Sequence, residues 1–258
     1  MGEDKEPLRL VVLGDSTSFT DDRGPQLPSD PRLYPNVVRA LLEEALERPV
    51  AVTVIARAGS HVRDAWRAAT KDRHVMFDVL MGADAVVVGV GSFDHAPAGV
   101  PPAVEAVVPY IRPASVRRLA RRALRAAHPW GVRITGARAT RTPRAEFERL
   151  YDGLLLQVRA LARGAAGVVL GPTSHRSGYY GGRHPAHRDR ERLQSGLAGR
   201  HGFEWVESWT LVEPAADRLN PDGIHWPPDV HAVVGAALAV PLIAQLRDGA
   251  ARPPSPAW

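Results

Sequence analysis

The sequence predicts an α/β protein, a parallel sheet with helices on both faces. Three observations carry this. Short apolar runs at residues 8–13, 50–55, 83–89, 167–171 and 203–206 have the length and composition of buried strands. Between them lie segments whose apolar residues recur at helical spacing. The strands also give way to loops rich in Gly, Ser and Asp, and alternation of this kind builds a parallel sheet covered on both sides.

The first strand, LRLVVL, breaks off at Gly14 and delivers Asp15 and Ser16. A polar loop over 17–31, rich in Asp, Gly and Pro, precedes a helix predicted over 34–47. On that helix Val37, Val38, Leu41, Leu42 and Ala45 share one face, and Glu43, Glu44 and Glu47 turn away. The strand at 50–55 leads to Gly59 and Ser60, a turn that opens a helix through Trp66. The strand at 83–89 runs into GVGSFDHAPAGVPP, too rich in Gly and Pro for regular structure. A long helix over 144–163 precedes the strand at 167–171, and another helical piece precedes 203–206. The last helix is predicted over 229–246, and a proline-bearing tail from 249 is expected to fray. Residues 1–248 form one predicted domain, with 249–258 as the tail.

Residues 112–133 interrupt the alternation as a basic helical insertion. Val116, Leu119, Ala120, Ala123, Leu124 and Ala127 make an apolar stripe, with Arg117, Arg118, Arg121, Arg122 and Arg125 on the other face. Three placements fit the pattern: a stripe packed on the core, a lid or acidic-ligand contact at the active rim, or docking on a membrane surface.

The formal charge is +5, and the surplus is clustered arginine, which points to a local anionic partner. No interleaved aromatics or zinc spacing support nucleic-acid binding. Cysteine is absent, which excludes disulfides and thiolate metal sites. His184 and His187 lack carboxylate partners at ligand spacing, so no metal and no cofactor are expected. With no signal peptide and no apolar run of transmembrane length read from the sequence, a cytoplasmic protein is expected.

In open parallel sheets the site lies beyond the carboxyl ends of the strands. Ser16, Gly59, Gly91 and His175 all follow predicted strands, so they converge on one rim. Acyl transfer needs a nucleophile, a base, an orienter for the base, and donors for the developing oxyanion. Ser16 supplies a hydroxyl. His225 is the natural base, and Asp222, three residues earlier, reaches its other ring nitrogen. The backbone amides of Ser16 and Gly59 are the expected oxyanion donors.

The blocks Gly14-Asp15-Ser16, Gly59, Gly91 and Asp222-Gly-Ile-His225 resemble, in order, those of the SGNH (GDSL-type) hydrolases. The resemblance implies a flavodoxin-like three-layer α/β/α sandwich with a five-stranded parallel sheet, and Ser16, Asp222 and His225 as a triad. One block departs. Where that family has Gly-x-Asn-Asp, this chain reads Gly91-Ser92-Phe93-Asp94, and Ser92 is left as the substitute oxyanion donor. The segments LPSDPRLYPNVV, AWRAAT, YIRP, PTSH and NPDGIHW look like the actinobacterial diglucosylglycerate octanoyltransferase family, which likewise lacks that asparagine. This likeness implies transfer of an octanoyl group from acyl-CoA to an anionic glucosylglycerate acceptor, a step toward methylglucose lipopolysaccharide. Arg57, Arg63, Arg117 and Arg121 are then candidates for the phosphates and carboxylate, and Asp94 and His175 for the acceptor. The alternative is an esterase or deacetylase that uses water.

Overall fold

The computed structural model describes the backbone of residues 6–101, 104 and 107–250. Five parallel strands form the central sheet: β1 (Leu8–Leu13), β4 (Val50–Ile55), β5 (Ala85–Val88), β6 (Ala166–Leu170) and β7 (Glu204–Val206). A two-residue pair, β2 (Thr20–Asp21) and β3 (Gly24–Pro25), lies apart in the loop after β1. The order β4-β1-β5-β6-β7 is flavodoxin-like, and its direction reverses between β1 and β5. Every long-sheet strand begins or ends within two residues of its predicted span.

Alternation along β1 divides the core. Val11 and Leu13 face one side, with Val86, Val88 and Val169, under α2 (Val62–Lys71), α4 (Arg144–Leu161) and α5 (His187–Arg200). Leu10 and Val12 face the other, with Val87 and Val168, under α1 (Tyr34–Leu46) and α7 (Pro228–Ala250). The short α6 (Ser208–Val212) leads toward α7. Two helical layers thus enclose one sheet.

Three segments differ from expectation. The helix after Ser60 continues to Lys71 and is followed by a π-helical turn, His74–Leu80. The last helix reaches Ala250, into the predicted tail, while residues 251–258 lie outside the described residues. That helix carries Pro228–Gly249, 22 residues long and apolar enough by length and composition to cross a membrane, contrary to expectation. Its Val234, Leu238 and Leu242 are wholly buried against the sheet, as a layer helix requires.

The basic insertion is α3 (Ala114–Ile134). Its apolar stripe does not pack on the core: Val116 is 47% exposed and Leu119 66%. The face turned inward holds His128 and Val132 instead. Two contacts select that face. A Cβ on Gly131 would fall 1.8 Å from the Gly99 carbonyl oxygen, so the helix backbone lies directly on the loop after β5. His128 Nδ1 is 2.8 Å from the Tyr179 carbonyl oxygen, and the two rings stack at 3.9 Å.

Candidate active site

Beyond the end of β1 the chain turns into a short 3-10 helix, Ser16–Ser18. Asp15 caps it: one carboxylate oxygen accepts from the Thr17 amide at 2.9 Å and the Thr17 hydroxyl at 2.8 Å. Burial pushes the Asp15 carboxyl above its usual range, and the Thr17 bonds pull it back in part. Ser18 and Tyr34 hydroxyls meet at 2.8 Å and tie the turn to α1. Ser16 is thereby held at the sheet rim.

The partner turn spans 220–225. Asn220 Oδ1 accepts from the Asp222 amide at 3.0 Å, and Asp222 Oδ1 accepts from the Ile224 amide at 2.7 Å. The other Asp222 oxygen is 2.7 Å from His225 Nδ1, and His225 Nε2 is 2.9 Å from Ser16 Oγ. Partial burial works to raise the Asp222 carboxyl, but the His225 bond and two backbone amides prevail and bring it down to about 2. Wholly buried Trp226 then seats the turn against Tyr34 and His231. An ionised carboxylate, an imidazole and a hydroxyl thus stand in line, at distances that allow the imidazole to take the serine proton.

This line opens on a pocket of about 360 Å³. Phe19, Phe93, Tyr180 and Ile224 give it apolar walls, and Gly59, in the left-handed region at φ 69°, turns its backbone beside it. Arg141 is the only arginine or lysine lining it among the described residues. Its Nε donates to His61 Nε2 at 3.1 Å, and its guanidinium lies 5.9 Å from the Tyr180 ring. The other ring nitrogen, His61 Nδ1, lies 3.7 Å from a carboxylate oxygen of buried Asp94.

No family model matches the chain. A diglucosylglycerate octanoyltransferase of Mycolicibacterium hassiacum is 31% identical over 233 residues, covering 87% of this chain and 90% of the relative. The chain belongs to the diglucosylglycerate octanoyltransferase family. The enzyme of that name from Mycobacterium tuberculosis is 29% identical over 232 residues, with 87% and 88% covered. Among solved structures, a lipase/acylhydrolase from Enterococcus faecalis aligns with TM-score 0.57 at 14% identity, covering 92% of this chain and 96% of its own. An acetylxylan esterase from Geobacillus stearothermophilus gives 0.55 at 16%, with the same coverage. A protein described as a GDSL-like lipase, from Parabacteroides merdae, gives 0.59 at 13%, again with the same coverage. At these identities the likeness concerns the fold, which is that of the SGNH hydrolases.

In this octanoyltransferase-family chain several predicted site residues lie elsewhere. Ser92 is buried and its hydroxyl donates to the Gly89 carbonyl at 3.1 Å, so it does not supply the missing oxyanion donor. Phe93, at the asparagine position of the block, lines the pocket instead. Asp94 is a bracket: buried, it accepts from the Val62 amide at 3.1 Å and from the Thr142 hydroxyl. Burial works against its charge, and the neighbouring His61 ring and the Thr142 hydroxyl hold its carboxyl low. It does not line the pocket. His175 is wholly buried, its ring 5.1 Å from Tyr180 and 6.0 Å from Phe93, so it backs the pocket wall without lining it. Burial, with neighbouring His184 and Arg176, drops its pKa to about 3.

The arginines are displaced too. Arg57 pairs with Asp64 at 2.5 Å and Arg63 pairs with Glu146, both outside the pocket. Arg117 and Arg121 lie on the first half of α3, where Arg117 reaches the Ile111 carbonyl at 3.5 Å, and neither lines the pocket. Arg141 and His61 were not singled out from the sequence. Arg141 falls in the connection between α3 and α4, with no motif around it. Phe93 carried a signal, as the residue standing at the block's empty position.

Proposed function

We propose that the chain is a serine-dependent acyltransferase that moves a medium-chain acyl group from an acyl-CoA thioester to a sugar hydroxyl of a glucosylglycerate-type acceptor. The observation that carries this reading is the Asp222–His225–Ser16 line, opening on a pocket that holds one fixed cation, Arg141. The names of the family relatives supply octanoyl as the acyl group and diglucosylglycerate as the acceptor.

In the first half-reaction His225 Nε2 takes the Ser16 proton as Oγ bonds to the thioester carbon. The carbonyl becomes an oxyanion that the Ser16 and Gly59 amides stabilise. The C–S bond then breaks, and His225 returns the proton to the departing thiolate, which leaves acyl-Ser16 and CoA thiol. In the second, His225 takes the proton of an acceptor hydroxyl, whose oxygen bonds to the acyl carbon. Collapse releases the sugar ester, and the proton passes back to Ser16. Asp222 holds the imidazole and stabilises its cationic form throughout. Arg141 binds the glycerate carboxylate and so aims the sugar hydroxyl at the acyl carbon.

Phe93 favours transfer over hydrolysis. It replaces a polar donor with an aromatic wall, which gives up oxyanion stabilisation but adds apolar surface for an acyl chain. Residues 1–248 act as one catalytic unit, and a cytoplasmic site fits a CoA donor.

Intact-protein mass spectrometry tests the reading. Octanoyl-CoA should add one octanoyl group, absent in Ser16→Ala, that persists in water and discharges when the acceptor is added. Rapid loss to octanoate regardless of acceptor would instead establish an esterase. An undiminished adduct on Ser16→Ala would remove Ser16 as nucleophile.

A further inference from the structure

Beside the catalytic pocket a second, larger groove of about 790 Å³ runs between the end of β4 and the length of α2. β4 is the edge strand of the sheet, so this flank carries no further strand. Ser60 lines both cavities, so the groove begins where the catalytic pocket ends. From there α2 leads away from the rim for ten residues, about 15 Å at helical rise.

The groove is cationic. Arg57, Arg67, Lys71 and Arg73 line it, against two carboxylates, Asp64 and Asp72. Both carboxylates are already engaged. Asp64 accepts from Arg57 at 2.5 Å and from the His61 amide at 3.0 Å, and Asp72 accepts from the His74 amide at 3.0 Å. Arg67 and Arg73 are exposed and have no carboxylate partner among the described residues. Asp64, Arg67 and Lys71 recur at helical spacing, so Arg67 and Lys71 share the groove face of α2 and Arg73 follows at its far end.

We propose that this groove binds the phosphorylated nucleotide end of the acyl-CoA. The pantetheine arm passes Ser60 to bring the thioester to Ser16, and Arg67, Lys71 and Arg73 meet the pyrophosphate and 3′-phosphate. The inference rests on the acyl-CoA reading above. It moves donor recognition away from α3, whose Arg117 and Arg121 lie on its first half, whereas its second half meets the segment beside the pocket, at His128 and Tyr179. It also leaves Arg141 for the acceptor.

The test is calorimetric titration of the full-length Ser16→Ala chain with free CoA and with 3′-dephospho-CoA, with circular dichroism melts as the folding control. Wild-type groove residues should favour CoA over dephospho-CoA. Arg67→Gln with Arg73→Gln should weaken CoA about tenfold or more and abolish that preference. Arg117→Gln with Arg121→Gln should leave both unchanged. CoA binding that survives the groove substitutions, or falls with those in α3, would overturn the groove alone. No CoA binding by a chain whose Ser16 form is still acylated by p-nitrophenyl octanoate would overturn the thioester donor, and the groove with it.

Discussion

His225 and its orienter Asp222 share one turn, so the base and the group that aligns it move together while Ser16 arrives from the other end of the chain. With Asp222 held at about 2, it stays ionised across any workable range. Asp222 should therefore add no second proton to the acid limb of the acylation rate. A pH–rate profile of p-nitrophenyl octanoate burst kinetics would show this, and a two-proton limb would contradict it. Arg141→Gln should raise KM for the anionic acceptor about tenfold, the scale of one charge-assisted hydrogen bond, while the burst of acyl-enzyme changes far less. Steady-state kinetics against acceptor separates the two. At this scale the sequence was legible where chemistry is concentrated in a few contiguous residues, as in Gly14-Asp15-Ser16 and Asp222-Gly-Ile-His225. Arg141 and His61 were hidden because their role depends on a contact between residues 80 apart, which no local pattern records.

The elements were mostly legible because buried strands and their covering helices announce themselves by periodicity. α3 marks the limit of that signal. Its stripe predicts a face but says nothing about what covers it, and the helix is fastened by backbone and imidazole contacts on another face. Exposed apolar residues have little to lose on substitution. Val116→Gln and Leu119→Gln should each leave stability within about 0.5 kcal/mol of the parent by chemical denaturation. A loss of about 2 kcal/mol or more would mean the stripe is buried after all. The third-block loop is a second case. Asp94, read as a possible acceptor contact, instead holds the first amide of α2 and the Thr142 hydroxyl. Its charge positions the entrance of the helix that carries the proposed donor groove.

Across the molecule the two-sided parallel sheet was readable from strands alternating with helices, and its flavodoxin-like order only as what the resemblance to the SGNH hydrolases implies. The accumulation of buried imidazoles was not. His175, His187 and His231 come from the loop after β6, from α5 and from α7, and burial is the leading cause that lowers each, to about 3, 4 and 4, from 6.5. Below 6.5 the unfolded chain takes up protons that the folded one refuses, so stability rises with pH through this window and is lost as pH falls from 6.5 toward 4. The melting temperature should drop steadily over that interval. A plateau from pH 7 to 4.5 would mean these rings are hydrated or charged in the native state.

The contact of Gly99 with Gly131 has a consequence on a longer timescale. A joint made of two bare backbones asks nothing of the side chains on either side of it. The outward residues of α3 can therefore change without moving its seat against Tyr179, next to the pocket-lining Tyr180. Descendants of this chain could exchange the whole exterior of that helix, and with it whatever the enzyme meets in the cell, without disturbing the serine, the imidazole or the carboxylate.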